Sequence, residues 1–262
     1  SLATRPRTKG LVKRSVDAEK LLKANDRRPD TTMAHMYRDG TYLDNNPTWH
    51  EEDSTWKARQ IKKIIESNAL IPNKICEVGC GAGEILNQLS GQYTETEFYG
   101  YEVSPQAYKL CKKKSKTNLT FQLLDLLDEN LAYFDIALAI DVFEHVEDYF
   151  GFLKKLRQRA KYIIFHIPLD LSVQTVLRSS PILQSRTSVG HIHYFTKETA
   201  LETLRDTGYE IVDCFYTGGS LELPNRGWKA NLLKVPRKLA FAVNKDLAVR
   251  VLGGYSLLVL AK

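Results

Sequence analysis

The chain has 262 residues, 43% of them apolar, and 37 Lys and Arg against 31 Asp and Glu for a net charge of +6. That length suits one large domain, or one with appendages, and no apolar run approaches the roughly 20 residues of a membrane-crossing helix. The basic excess is confined to residues 1–28 (nine basic, three acidic) and 226–250 (seven against one), leaving residues 29–225 at −7, a balance that argues against nucleic acid as the substrate.

In chain order, Ser1–Gly10 is basic and polar without an apolar centre, so no secretory leader is expected and the location reads as cytoplasmic. Residues 1–53 read as a basic segment followed by turns loaded with aromatics: Tyr37, Tyr42, Trp49 and His50. Ser54 is the expected cap of a helix over Thr55–Ser67, on which Trp56, Ile61, Ile64 and Ile65 recur at helical spacing. From Lys74 strand and helix alternate. Strands are predicted at Ile75–Val78, Glu97–Val103, Leu119–Leu123, Phe134–Ile140, Tyr162–Ile167, Glu210–Phe215 and Tyr255–Ala261. Helices are predicted at Glu84–Leu89, Pro105–Lys114 (capped by Ser104), Tyr149–Ala160 and Lys197–Thr207. Thr196 caps the last of these, with Thr199 where a capping box places Glu, so the box reads as incomplete. Such alternation implies a mostly parallel sheet covered on both faces.

The long connection from Thr217 to Gly254 carries Trp228, Leu232, Val235, Leu239 and Val243 among Lys229, Lys234, Arg237, Lys238 and Lys245. It allows three readings: a substrate lid, an interfacial membrane-touching helix, or a helix packed on the domain. The four cysteines, Cys76, Cys80, Cys111 and Cys214, form no Cys-x-x-Cys pair and read as small reduced thiols. No metal-ligand set is expected.

The most informative stretch is Lys74–Glu84, an apolar strand ending in Glu77 and then Gly79, Gly81 and Gly83 alternating with small residues. Such a turn admits positive φ and lets a ligand approach the backbone. In a doubly wound sheet the ligand crosses the carboxyl ends of the strands, and acids recur there: Glu102 before Val103, Asp125 before Leu126, and Asp141 before Val142. A nicotinamide fingerprint starting at Gly79 would need glycine at position 84. Glu84 stands there instead, crowding and repelling a pyrophosphate.

Lys74–Glu84 resembles motif I of the class I S-adenosylmethionine-dependent methyltransferases. Asp141–Val146 resembles the Asp-x-x-Glu-His-Val signature of small-molecule members, and Gly190–Gly208 their Gly-His-x-x-x-Phe-Thr stretch. The resemblance implies a Rossmann-like, doubly wound seven-stranded sheet of order 3-2-1-4-5-7-6, its last strand antiparallel, with N-terminal and late helical insertions. Residues 1–53 would form a basic segment and aromatic lid, and residues 54–262 the methyltransferase domain with an insertion at about 217–254. S-adenosylmethionine would lie on Glu77, Gly79, Cys80, Gly81 and Gly83, its ribose at Glu102 and Val103, its adenine at Asp125 and Leu126, with Asp141 and Val142 following the fourth strand. Tyr37, Tyr42 and Trp49 would face substrate and lid.

The implied reaction is direct displacement onto a small-molecule acceptor, oxygen slightly preferred over nitrogen, with His166, His191 or His193 as general base. Glu144 and His145 are expected to hold the loop. The basic stretch 226–250 suits weak contact with a membrane or anionic surface. A non-catalytic binding or scaffold protein on the same fold is the alternative, and the acceptor and oligomeric state stay open.

Overall fold

Each strand of the domain is a short apolar run, and each following helix carries one apolar stripe, so the stable arrangement is a sheet with helices on both faces. The computed structural model describes residues 41–49, 51–127, 133–222 and 234–262. The elements run α1 (Thr41–Asn45), α2 (Glu51–Ser67), β1 (Lys74–Val78), α3 (Glu84–Ser90), β2 (Glu97–Glu102), α4 (Pro105–Cys111), β3 (Leu119–Leu123), β4 (Phe134–Ile140) and α5 (Tyr149–Leu156). They continue with β5 (Ala160–Pro168), α6 (Val173–Arg178), α7 (Ser180–Ser188), α8 (Lys197–Asp206), β6 (Ile211–Thr217), α9 (Gly219–Glu222), α10 (Lys234–Val243), α11 (Lys245–Leu252) and β7 (Ser256–Ala261).

The seven strands lie in the order β3-β2-β1-β4-β5-β7-β6. The first five pair in parallel, and β7 runs antiparallel between β5 and β6. This is the expected sheet. One face is covered by α5 and α8 through Leu153, Leu156, Ala200 and Leu204, the other by α2 and α3 through Ile61, Ile64, Ile65, Leu86 and Leu89.

Several local expectations are corrected. Helix α2 begins at Glu51, so Ser54 is a buried residue inside it and not its cap. The acidic run Glu51-Glu52-Asp53 occupies the first turn, where the helix dipole favours negative charge. The helix after β4 stops at Leu156, and Ala160 opens β5 in register with Phe134. The α8 capping box is complete: the Thr199 hydroxyl accepts from Thr196 N at 2.9 Å while Thr196 Oγ1 accepts from Thr199 N at 3.3 Å. A threonine hydroxyl thus does the work assigned to a glutamate carboxylate. Within the aromatic stretch read as turns, residues 41–45 form the one-turn helix α1; Tyr37 and His50 lie outside the described residues. Two helices between β5 and α8, namely α6 and α7, had no place in the sequence reading. Of the late connection, α10 and α11 are described and Trp228 and Leu232 are not.

Candidate active site

The turn after β1 is built on three glycines in the left-handed region, Gly79, Gly81 and Gly83, at φ of +65°, +54° and +75°. At Gly83 a Cβ would also lie 2.6 Å from the Phe121 ring and 2.7 Å from Cys111 Cβ, so glycine is needed twice over. Glu102, at the tip of β2, fixes the turn. Its Oε2 accepts from Gly81 N at 2.8 Å, and its Oε1 accepts from Val103 N at 2.8 Å and Ser104 N at 2.7 Å. Burial pushes the Glu102 carboxyl up, against those same backbone amides, which favour its ionised form. Glu77 is more isolated. It is buried, its Oε2 has no hydrogen-bond partner, and burial raises its pKa well above the ordinary range although Lys57 opposes the shift.

Glu84 does not face the turn unopposed. Its carboxylate accepts from Asn87 and Gln88 of its own helix and lies 3.3 Å from Lys114 Nζ; burial raises its pKa, but these partners override it and hold it below the usual value.

A cavity of about 1270 Å³ spreads from this turn across the carboxyl ends of β1, β2, β4 and β5, where the strand order reverses between β1 and β4. Glu77, Gly79, Cys80, Gly81, Gly83, Glu102, Val103, Asp125, Asp141 and Val142 all line it. Leu126 does not; it is fully buried beside Asp125, whose Oδ1 accepts from Leu127 N at 2.9 Å. Tyr42 and Trp49, rings 4.7 Å apart, close the cavity over Gly81. Asn46 between them donates from Nδ2 to Ser188 O at 3.0 Å, and Trp56 Nε1 donates to Glu222 Oε2 at 2.6 Å.

Beyond the turn lies an ionic relay. Asp141 has φ of +53°, a conformation aspartate tolerates better than most residues. Its Oδ2 meets Lys57 Nζ at 2.7 Å and its Oδ1 meets His166 Nδ1 at 2.6 Å; His166 Nε2 reaches Thr217 Oγ1 at 2.9 Å. Burial would raise the Asp141 pKa, but His166 and Lys57 hold it far below the usual range. Both ring nitrogens of His166 are therefore engaged by protein.

The other histidines divide. His191 lines the cavity with Nδ1 2.6 Å from Asp170 Oδ2. His145 also lines it, with Nδ1 3.1 Å from Gly190 O and its ring 4.9 Å from that of His191; burial, then His191, lowers its pKa to about 4. His193 is not on the cavity wall: its Nε2 donates to Val146 O at 2.9 Å and its ring lies 4.4 Å from Tyr149.

Three residues at the site carried no expectation. Lys57 was signalled, because it lies four residues before Ile61 and seven before Ile64 on the otherwise apolar stripe of α2, where a lysine needs a partner. Asp170 and Thr217 gave no such signal; sheet topology alone brings them to His191 and His166.

Comparison with known proteins agrees with this geometry. The family described as "Methyltransferase domain" matches residues 48–213. No curated protein matches in sequence. Similar solved structures include the cyclopropane synthase MmaA2 from Mycobacterium tuberculosis (18% identity, TM-score 0.53, 78% of this chain and 84% of that one). The N-methyltransferase NodS from Bradyrhizobium japonicum WM9, in complex with S-adenosyl-L-homocysteine, is also similar (14%, TM-score 0.50, 78% and 84%). So is the [4+2]-cyclase SpnF (15%, TM-score 0.51, 78% and 80%). At these identities the likeness is one of fold.

Proposed function

The chain belongs to the methyltransferase-domain family, and from that premise we propose that it methylates a hydroxyl of a small molecule held at the His191 end of the cavity. It is an S-adenosylmethionine-dependent methyltransferase. The residues fit that cofactor: its cationic amino and sulfonium end suits Glu77, whose buried Oε2 has no hydrogen-bond partner, and its ribose hydroxyls suit the carboxylate of Glu102 at the tip of β2. When bound, the cofactor supplies a methyl group activated on sulfur. The protein's part is then to align an acceptor, exclude water and ease the loss of the acceptor's proton.

The observation that carries the oxygen reading is the pairing of His191 with Asp170 on the cavity wall. Of the three histidines expected to act as base, His166 has both ring nitrogens engaged by protein and His193 is turned to the Val146 carbonyl off the cavity wall, whereas His191 lines the cavity with Nδ1 held by Asp170. A hydroxyl near neutral pH needs such help, whereas a neutral amine does not. Tyr42 and Trp49 serve as lid residues in this reading, and Tyr37, outside the described residues, extends that stretch.

Calorimetry with S-adenosylmethionine and S-adenosylhomocysteine tests the premise; absence of binding leaves the scaffold alternative, a role compatible with a fold that SpnF uses as a cyclase. Glu102→Ala should weaken cofactor binding by about 100-fold, since about 2–3 kcal/mol is a typical loss for hydrogen bonds to a charged group. Unchanged affinity would refute its role at the turn. Transfer of labelled methyl to hydroxyl but not amine compounds checks the acceptor.

A second feature favours an apolar acceptor or an anionic surface. Helix α6 packs on α11 and α11 on α10, and this helical cap exposes Val176, Leu177, Val235, Leu239, Val243 and Leu247 beside Arg178 and Arg237, which line the cavity. The exposed apolar face and its basic neighbours suit weak contact with an anionic lipid surface through the described part of 226–250.

A further inference from the structure

The loop after β4 and the segment before α8 meet at a cluster of which methyl transfer with His191 as base uses one member and leaves Glu144 and His145 without a chemical role. Glu144, His145 and His191 each bring one ligand-capable atom to within 4.8 Å of the others. Ligand atoms about 2.0–2.2 Å from one ion lie roughly 3–4 Å apart, so a small closure would bring all three onto it.

The most informative member is Glu144. Its side chain is 1% exposed, and neither carboxylate oxygen has a hydrogen-bond partner. A buried carboxyl left this way is costly, and it is normally either paired, hydrogen-bonded or bound to a cation. His145 Nε2 is 3.8 Å from Oε1, beyond hydrogen-bond reach.

The two imidazoles are arranged to complement it. Asp170 holds Nδ1 of His191 at 2.6 Å, and the Gly190 carbonyl holds Nδ1 of His145 at 3.1 Å. Metal-ligating histidines generally give their other ring N–H to a carboxylate or a backbone carbonyl, which fixes the tautomer and aims the remaining nitrogen. The backbone fixes the cluster as well: Ile192 N and His193 N donate to Glu144 O at 3.0 and 3.1 Å, so the two ligand-bearing segments are stitched together at the site.

We propose that Glu144, His145 and His191 form a binding site for a divalent transition-metal ion, which holds and acidifies the acceptor's hydroxyl. Two imidazoles with one carboxylate suit Zn²⁺, Co²⁺, Mn²⁺ or Fe²⁺ better than Mg²⁺ or Ca²⁺, which prefer all-oxygen sets. His145 and His191 line the cavity, so coordination positions left over by the protein are available to ligands there. The acceptor class is a hydroxyl with a second oxygen on the adjacent carbon, able to chelate. The coordinated hydroxyl releases its proton to solvent. Its oxygen lone pair forms the new C–O bond while the methyl–sulfur bond breaks and sulfur keeps that electron pair. This deepens the proposed O-methylation, with His191 serving as a ligand of the ion that acidifies the hydroxyl instead of as the base itself; it depends on that reading for the acceptor, though not for the metal.

The test uses Co²⁺ as a spectroscopic probe on the full chain after dialysis against chelator. One Co²⁺ should bind per chain with visible d–d absorption, and Zn²⁺ should displace it. Glu144→Gln and His191→Asn should each weaken binding by more than about tenfold, and Asp170→Asn by about 10–100-fold through loss of His191's outer partner. Should a variant fail to fold, NMR of the wild-type chain decides: Zn²⁺ should shift the ring signals of His145 and His191 while leaving His166 in place. No stoichiometric Co²⁺ binding, or equal binding by the Glu144 and His191 variants, overturns the site and identifies Glu144 as a merely protonated buried acid. Calorimetry with S-adenosylmethionine on the same samples separates the two readings. Metal bound without cofactor affinity sinks the methyl-transfer reading alone, and cofactor bound without metal sinks only the site.

Discussion

At the scale of single residues, the cavity is a set of buried charges whose partners decide their ionisation. Asp141 is paired on both oxygens and stays ionised, whereas Glu77 has one buried oxygen without any hydrogen bond and is pushed well up by burial. A carboxyl whose pKa is raised on folding binds its proton more tightly in the native chain than in the unfolded one. Its contribution to stability is intact below the unfolded carboxylate pKa and is lost as pH rises through the native one. Glu77→Gln should therefore be more stable than wild type at neutral pH, by at least about 1 kcal/mol, with the difference vanishing in acid. Urea unfolding of the cofactor-free protein at neutral and acid pH measures this, and an advantage that does not depend on pH would refute it. Glu77, Glu102 and Asp125 were legible in the sequence because each closes a strand next to the glycine turn. Lys57 was half legible, from its place on an apolar stripe. Asp170 was not legible, because a single aspartate in a loop has no local pattern that reveals its partner.

At the scale of elements, the turn between β1 and α3 tolerates little change. Gly83→Ala places a Cβ against Phe121 and Cys111 and keeps a positive φ that alanine resists. Backbone strain and overpacking each cost about 1–3 kcal/mol, so a loss of roughly 2–4 kcal/mol in stability is expected. Gly91→Ala is the internal control: that residue has right-handed φ and ψ of −76° and −18°, and its Cβ would come no closer than 3.7 Å to its neighbours. Thermal melting of both variants is the check, and comparable melting temperatures would contradict the argument. Strand existence was readable throughout, since each strand is an apolar run with turn residues at its ends. Ends were less so. Ala160 suits a helix as well as a strand, and only its pairing with Phe134 assigns it to β5. Helices α6 and α7 escaped because they bury no residue fully and so carry no apolar stripe to read.

For the whole molecule, charge and apolarity are distributed unevenly: an acidic centre holds the cavity, while basic and apolar side chains gather on the helical cap. If the cap meets anionic lipid, Leu239→Asp and Val243→Asp should each reduce sedimentation with phosphatidylserine-containing vesicles by about tenfold or more, as loss of one buried apolar side chain implies. Equal sedimentation of wild type with neutral and anionic vesicles, or with none, would remove the lipid reading. The sheet order was expected on resemblance to a family, not on periodicity, because nothing in the spacing of seven strands dictates which pairs with which. That order has a consequence in time. Among the described residues β6 pairs only with β7, and β7 lies between β5 and β6. As the polypeptide is synthesised, β1 to β5 can assemble with their glycine turn while β6 waits without a neighbour. Thr217, which receives His166, is at the end of β6, and Tyr255 and Ser256, at the start of β7, belong to the cavity wall. The half of the cavity built around Glu102 can thus exist early, and the half that includes Tyr255 and Ser256 is complete only once β7 stands between β5 and β6.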